Sequence, residues 1–163
     1  MAENQTANNG AAPAGATLNI QKLYIKDASF EVPNAPAIFQ ESAQPQIQLN
    51  LAQKVSNFAE GLYEVVLTVT VTCKVGEKTA YIAEAQQAGV FGLNGFQANE
   101  LEAVLATYCP HTLYPYARQV ISDLIQAGGF PPFLLQPLNF EQVYAESVAQ
   151  RQQAQPEGTQ ANA

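Results

Sequence analysis

Between residues 62 and 75 the side chains alternate in character. Tyr63, Val65, Leu67, Val69, Val71, Cys73 and Val75 take every second place. Glu64, Val66, Thr68, Thr70, Thr72 and Lys74 lie between them, mostly polar. The pleat of a strand turns successive side chains to opposite faces, so this pattern predicts a strand with one apolar face. Valine and threonine dominate it, and both fit a pleated, half-buried surface. Gly76-Glu77-Lys78 is a turn signal, and a second extended run over 79–90 returns as the other arm of an antiparallel hairpin. At about 3.3 Å per residue the first arm spans roughly 45 Å, against a diameter near ~40 Å for a compact domain of this length. The arm is expected either to bend sharply or to run out of its domain into a partner.

Residues 18–32 also read as extended. From Tyr24 the alternation predicts Tyr24, Lys26, Ala28, Phe30 and Val32 on one face, with Ile25, Asp27, Ser29 and Glu31 on the other. Pro33, Pro36 and Pro45 bracket an irregular loop. Ile47, Leu49 and Leu51 alternate with Gln46, Gln48 and Asn50, which predicts a short strand, and 57–61 is a connection to the hairpin. The period then changes. Ala98, Leu101, Val104, Leu105 and Tyr108 fall at helical spacing, with Pro110 as the stop. Leu113, Tyr116, Ala117, Val120, Ile121, Leu124 and Ile125 mark a stronger amphipathic helix, with Thr112 as its N-cap and Gly128-Gly129 as its end. Asn139 and Gln142 resemble a capping box opening a last helix with Phe140, Val143, Tyr144 and Val148 on one face. Strands come first and helices after, so the class is α+β, an antiparallel sheet with helices segregated from it. Residues 1–17 and 151–163 are polar, low in complexity and expected to be disordered. One domain over 18–150 remains.

Composition narrows what such a domain binds. The formal net charge is −7 in 163 residues, which disfavours nucleic acid and anionic membranes and favours a basic protein partner. No apolar run is long enough for a membrane helix. Two cysteines, Cys73 and Cys109, do not make a disulfide framework, so both read as buried thiols in a reducing cytosol. His111 is the single histidine and has no acid beside it, so a serine or cysteine nucleophile has little to activate it. Metal-ligand spacing and a glycine-rich phosphate loop are both missing from the pattern. An enzyme is disfavoured and no cofactor is expected. Three surfaces are left: the apolar set Ile47, Leu49, Leu51, Phe130, Phe133, Phe140 and Tyr144; the acids Asp27, Glu31 and Glu84; and the strand residues Gln86 and Gln87.

Several segments resemble the SecB family of protein-export chaperones. They are residues 26–36, KDASFEVPNAP; residues 63–72, YEVVLTVTVT; Glu84 with Gln86-Gln87; Tyr108-Cys109-Pro110; residues 113–118, LYPYAR; and residues 137–140, PLNF. The resemblance implies a four-stranded antiparallel sheet packed with two main helices, assembled as a homotetramer, a dimer of dimers. It implies an ATP-independent holdase that keeps secretory precursors unfolded in the bacterial cytosol and passes them to the export motor SecA. The positions matching SecA docking are Asp27, Glu31, Ile82 and Glu84, which would meet a basic C-terminal zinc-binding segment. Those matching client binding are Ile47, Leu49, Leu51 and Tyr144, with Phe140 close by. Subunit contacts are expected at Ala83, Ala85 and Gln87. Where the family often carries a tryptophan near the client surface, this chain has Ser42-Ala43. Two other functions fit the same outline. One is a small apolar-ligand carrier or hotdog-like thioester enzyme, for which Asp123 is the acid on the long helix. The other is a SecB-like chaperone devoted to a single partner such as an antitoxin.

Overall fold

The computed structural model describes residues 15–154. Four long strands, β1 (Thr17–Glu31), β2 (Pro45–Ala59), β3 (Leu62–Val75) and β4 (Lys78–Asn94), form one antiparallel sheet in the order β1-β4-β3-β2. Three helices follow: α1 (Ala98–Ala106), α2 (Tyr108–Ala127) and α3 (Phe140–Ala154). The expected α+β architecture is the one observed. The terminal calls, 1–17 and 151–163, fall largely outside the described residues. Within them, Thr17 already belongs to β1, and residues 151–154 continue α3.

The β3–β4 hairpin turns on Gly76 and Glu77, with Val75 paired to Lys78. Gly76 has φ 62°, the backbone a two-residue hairpin needs at its first central position. The long arm neither bends away nor leaves the domain. All four strands are 14–17 residues, so β3 finds a partner along its whole length inside its own sheet. β2 is likewise longer than the short strand its alternation suggested, because pairing with β3 runs from Pro45 to Ala59.

The helices cover one face of the sheet. Val65, Leu67, Val69 and Val71 of β3 are buried against Leu113, Ala117, Ile121 and Ile125 of α2, which recur every fourth residue along one helix stripe. α2 packs on the two central strands, β3 and β4. Gly89 allows that approach: a Cβ there would sit 2.8 Å from the Phe91 ring and 3.1 Å from Leu113. The break between α1 and α2 is at Thr107, whose hydroxyl donates to the Ala103 carbonyl. Pro110 lies in the first turn of α2, where its missing N–H leaves no helix bond unmade, so it begins a helix rather than ending one. Thr112 is inside that helix and donates back to the Tyr108 carbonyl at 2.9 Å; it is not a cap. At α3, the Asn139 side chain accepts from the Gln142 amide at 3.1 Å, as an N-cap does.

Candidate functional site: two faces of one sheet

Register decides what each face carries. Val71 pairs with Ala83, Val69 with Ala85 and Leu67 with Gln87, so these three β4 residues share the helix-covered face. Ala83 is 0% exposed, Ala85 1% and Gln87 4%. Ala83, Ala85 and Gln87 are the positions expected for subunit contacts. They lie in the chain's own core, and Gln87 uses its side-chain amide to donate to the Tyr24 carbonyl at 3.2 Å. The opposite, outer face carries Ile82, Glu84 and Gln86.

Irregularity in β1 sets the acidic group. Ile25 pairs with Gln87 and Asp27 with Gln86, leaving Lys26 as an extra residue in a β-bulge. Beyond the bulge, Ser29 pairs with Glu84 and Glu31 with Ile82. Asp27, Ser29 and Glu31 therefore share the outer face with Ile82 and Glu84. Tyr24 joins them, while Ile25, Ala28 and Phe30 turn to the helix side. This corrects the simple alternation, which had Tyr24 with Phe30. All four positions proposed for docking stand together on the outer face. Asp27 and Glu31 are exposed; Glu84 is half-buried and accepts from the Thr70 hydroxyl at 2.8 Å. None of the three carboxylates has an ion-pair partner among the described residues.

The helix side holds the apolar group. Ile47, Leu49 and Leu51 pair with Cys73, Val71 and Val69, which puts them in one row facing the helices. No helix covers that edge, and the three stay 38%, 37% and 39% exposed. Val55, 40% exposed, extends the row; continuing the count in twos from Leu51 finds it. Open clefts lie along this row. One of about 450 Å³ is lined by Ile47, Phe39, Tyr81, Phe130 and Phe133. Tyr81 and Phe130 pack there as tilted rings with centroids 4.8 Å apart, and Phe39 and Phe130 likewise at 5.2 Å. The other, about 280 Å³, brings Leu51 of β2 together with Phe140 and Tyr144 of α3. Phe140 is mostly buried and forms the wall; Tyr144 is half-buried. The side chain of Gln53, next in the row, donates to the Leu105 carbonyl at 2.6 Å and ties β2 to α1.

Reactive groups are placed for packing. Burial pushes the Cys109 thiol up to about 12, and burial raises Cys73 as well, against a lowering hydrogen bond with Tyr81. A thiol held protonated is a poor nucleophile. His111 is exposed on α2 and lines a hollow of about 470 Å³ with Tyr108, Asn139 and Glu141. Asp123 is exposed and accepts from Gln119 at 2.8 Å. No group of three metal-ligating side chains exists among the described residues. No helix among them is long and apolar enough to cross a membrane.

An open apolar groove beside an edge strand, backed by a polar sheet face, defines a polypeptide-binding module. The family model described as preprotein translocase subunit SecB matches residues 11–151. The protein-export protein SecB of Stenotrophomonas maltophilia is 55% identical over 153 residues, which cover 91% of this chain and 89% of that protein. SecB of Xanthomonas oryzae is 60% identical over 141 residues, covering 86% and 82%. Among solved structures, a SecB-like chaperone of Mycobacterium tuberculosis, in complex with a peptide from an antitoxin, aligns with a TM-score of 0.63. It is 21% identical and covers 75% of this chain and 91% of that one, a likeness of fold. The chain belongs to the SecB family. It is a protein-export chaperone and not an enzyme.

Proposed function

We propose that this chain binds unfolded secretory precursors along the β2 groove, in the bacterial cytosol, and delivers them to SecA docked on the outer sheet face. The observation that carries this reading is the division of one sheet into two unlike surfaces. Ile47, Leu49 and Leu51 line one face beside Tyr144 and Phe140, and Asp27, Glu31 and Glu84 surround Ile82 on the other. The apolar row gives contact that does not depend on client sequence, and the open β2 edge offers backbone hydrogen bonds to an extended chain. Binding the unfolded state alone delays folding by mass action, so no ATP is required. The unpaired carboxylates suit a basic segment, such as the C-terminal zinc-binding segment of SecA. Both outer strands, β1 and β2, are unpaired edges, which supports assembly into a homotetramer, a dimer of dimers. Several grooves on one assembly raise the avidity for one long client well above that of a single groove.

Two sets of variants separate the faces. Leu49→Asp with Leu51→Asp should weaken capture of a reduced, unfolded precursor at least ~10-fold, since each buried leucine contact is worth ~1.5–3 kcal/mol. SecA binding should stay at the wild-type level. Charge reversal at Asp27, Glu31 and Glu84 should abolish SecA binding and spare the precursor. Light-scattering of the refolding precursor and titration calorimetry with SecA read the two activities. Loss of both by either set, or of neither, removes the assignment.

A further inference from the structure

The bulge that brings Asp27 to the outer face also puts a lysine there. Lys26 is the extra residue, and its side chain crosses the outer face to Glu64 of β3, 2.7 Å from Nζ to Oε1. The same carboxylate accepts the Tyr24 hydroxyl. Lys26 is thus a cation on the same face as three unpaired carboxylates, yet it pairs with none of them. It sits next to Asp27 in sequence and on the same face. Its ammonium is a point charge on a four-carbon stem, free to swing to whichever anion is in reach. It keeps side-chain exposure of 47%, whereas Glu64 has 21%. Lys22 and Lys54 are exposed on the same end of this face, Lys22 opposite Val90 and Lys54 opposite Val66.

We infer that Glu64 is a positioning residue of the docking face: it holds Lys26 away from Asp27 and so leaves the docking carboxylates open to a basic partner. The inference rests on the docking assignment of Asp27, Glu31 and Glu84. Without Glu64, the closest anion along the chain for Lys26 is Asp27. An intramolecular cation there competes with the incoming one at no loss of translational freedom. Glu64 is favoured as the anchor on two counts. It accepts from both Lys26 and Tyr24, and this pair of hydrogen bonds, with the Lys26 and Lys54 charges, keeps its carboxyl ionised by lowering it below the ordinary range.

The test uses the full chain and the basic C-terminal zinc-binding segment of SecA as probe. Glu64→Gln keeps the shape and a partner for Tyr24 but releases the lysine. It should bind the segment roughly threefold to fivefold more weakly, the effect of one exposed ion pair. Glu64→Gln with Lys26→Gln should recover wild-type binding or exceed it, since the competitor is gone. Lys26→Gln alone should bind at least as well as wild type, which keeps the test sharp should Glu64→Gln fold poorly. Nuclear Overhauser contacts of the Lys26 ε-methylene protons should move from Glu64 to Asp27 in the single variant. Equal binding by Glu64→Gln and wild type, or a double variant as weak as the single, overturns the inference. So does a Lys26 side chain that never approaches Asp27 when Glu64 is replaced. A wild-type chain that ignores the segment would instead remove the docking assignment, while the Lys26 contacts would still decide where that side chain goes.

Discussion

At the scale of single residues, Glu64 and Tyr24 tie two ionisable groups into the stability of the sheet. Glu64 titrates below its ordinary value of 4.5, with hydrogen bonds from Lys26 and then Tyr24 as the largest causes. A depressed carboxylate contributes stability that is present above the unfolded value and lost as pH falls through the folded one. Tyr24 behaves in the opposite sense. Burial first, then the Glu64 contact, raise it from 10.0 to about 12, so its contribution is complete below pH 10 and lost as pH climbs toward 12. Urea midpoints from pH 3 to 7 should show wild type ahead of Glu64→Gln above pH 5, with the gap closing in acid. Parallel curves would exclude the coupling. Ile121 carries no charge and tests a simpler quantity. It is fully buried between α2 and the sheet, and Ile121→Ala should cost about 2–5 kcal/mol by urea unfolding. A loss below about 1 kcal/mol would mean that α2 does not seat on β3 and β4 as described.

At the scale of elements, small departures from regular pattern do most of the placing. One extra residue at Lys26 moves Asp27, Ser29 and Glu31 onto the same face as Tyr24. Thr107, not Pro110, divides α1 from α2, because a proline in a first turn forfeits no hydrogen bond. Gly89 lets α2 press on the sheet at β4. Gly89→Ala should destabilise the fold by about 1–3 kcal/mol, the range for an overpacked core, since both the Phe91 ring and Leu113 must shift. Thermal unfolding measures it, and an unchanged midpoint would show that the helix has room to spare.

The whole molecule keeps its exposed apolar row and its unpaired carboxylates on opposite sides of a single sheet, so the proposed function sets precursor and SecA on different faces. Ionic strength should therefore separate them. Raising salt from about 0.05 to 0.5 M shortens the screening length from roughly 14 Å to 4 Å and should weaken SecA docking several-fold. Precursor capture through Ile47, Leu49 and Leu51 should hold or strengthen. Both responses moving together would place the two partners on one surface. Sedimentation should give a mass four times the 17.5 kDa chain; a concentration-independent monomer would refute the tetramer.

Much of this was legible residue by residue. The period of two through β3 follows from side-chain chemistry that each residue carries alone, as do the Gly76 turn, the four-residue stripe of α2 and the apolar row of β2. The segments matching the SecB family were equally local. Which phase of an alternation meets the core was not. β4 puts Ile82 on the outer face with Glu84, and a glutamine on each face at Gln86 and Gln87, so hydropathy gives no clean alternation and only pairing with Leu67, Val69 and Val71 turns Ala83, Ala85 and Gln87 inward. The salt bridge between Lys26 and Glu64 spans 38 positions, and the meeting of Leu51 with Tyr144 joins the second strand to the last helix. Sequence by itself determined the kind and order of the main elements, the family and the two kinds of surface, because period, turn and composition are short-range properties. Tertiary structure alone decided register, the bulge and the groove's far wall, because those depend on strand pairing and helix packing between residues that no local pattern connects.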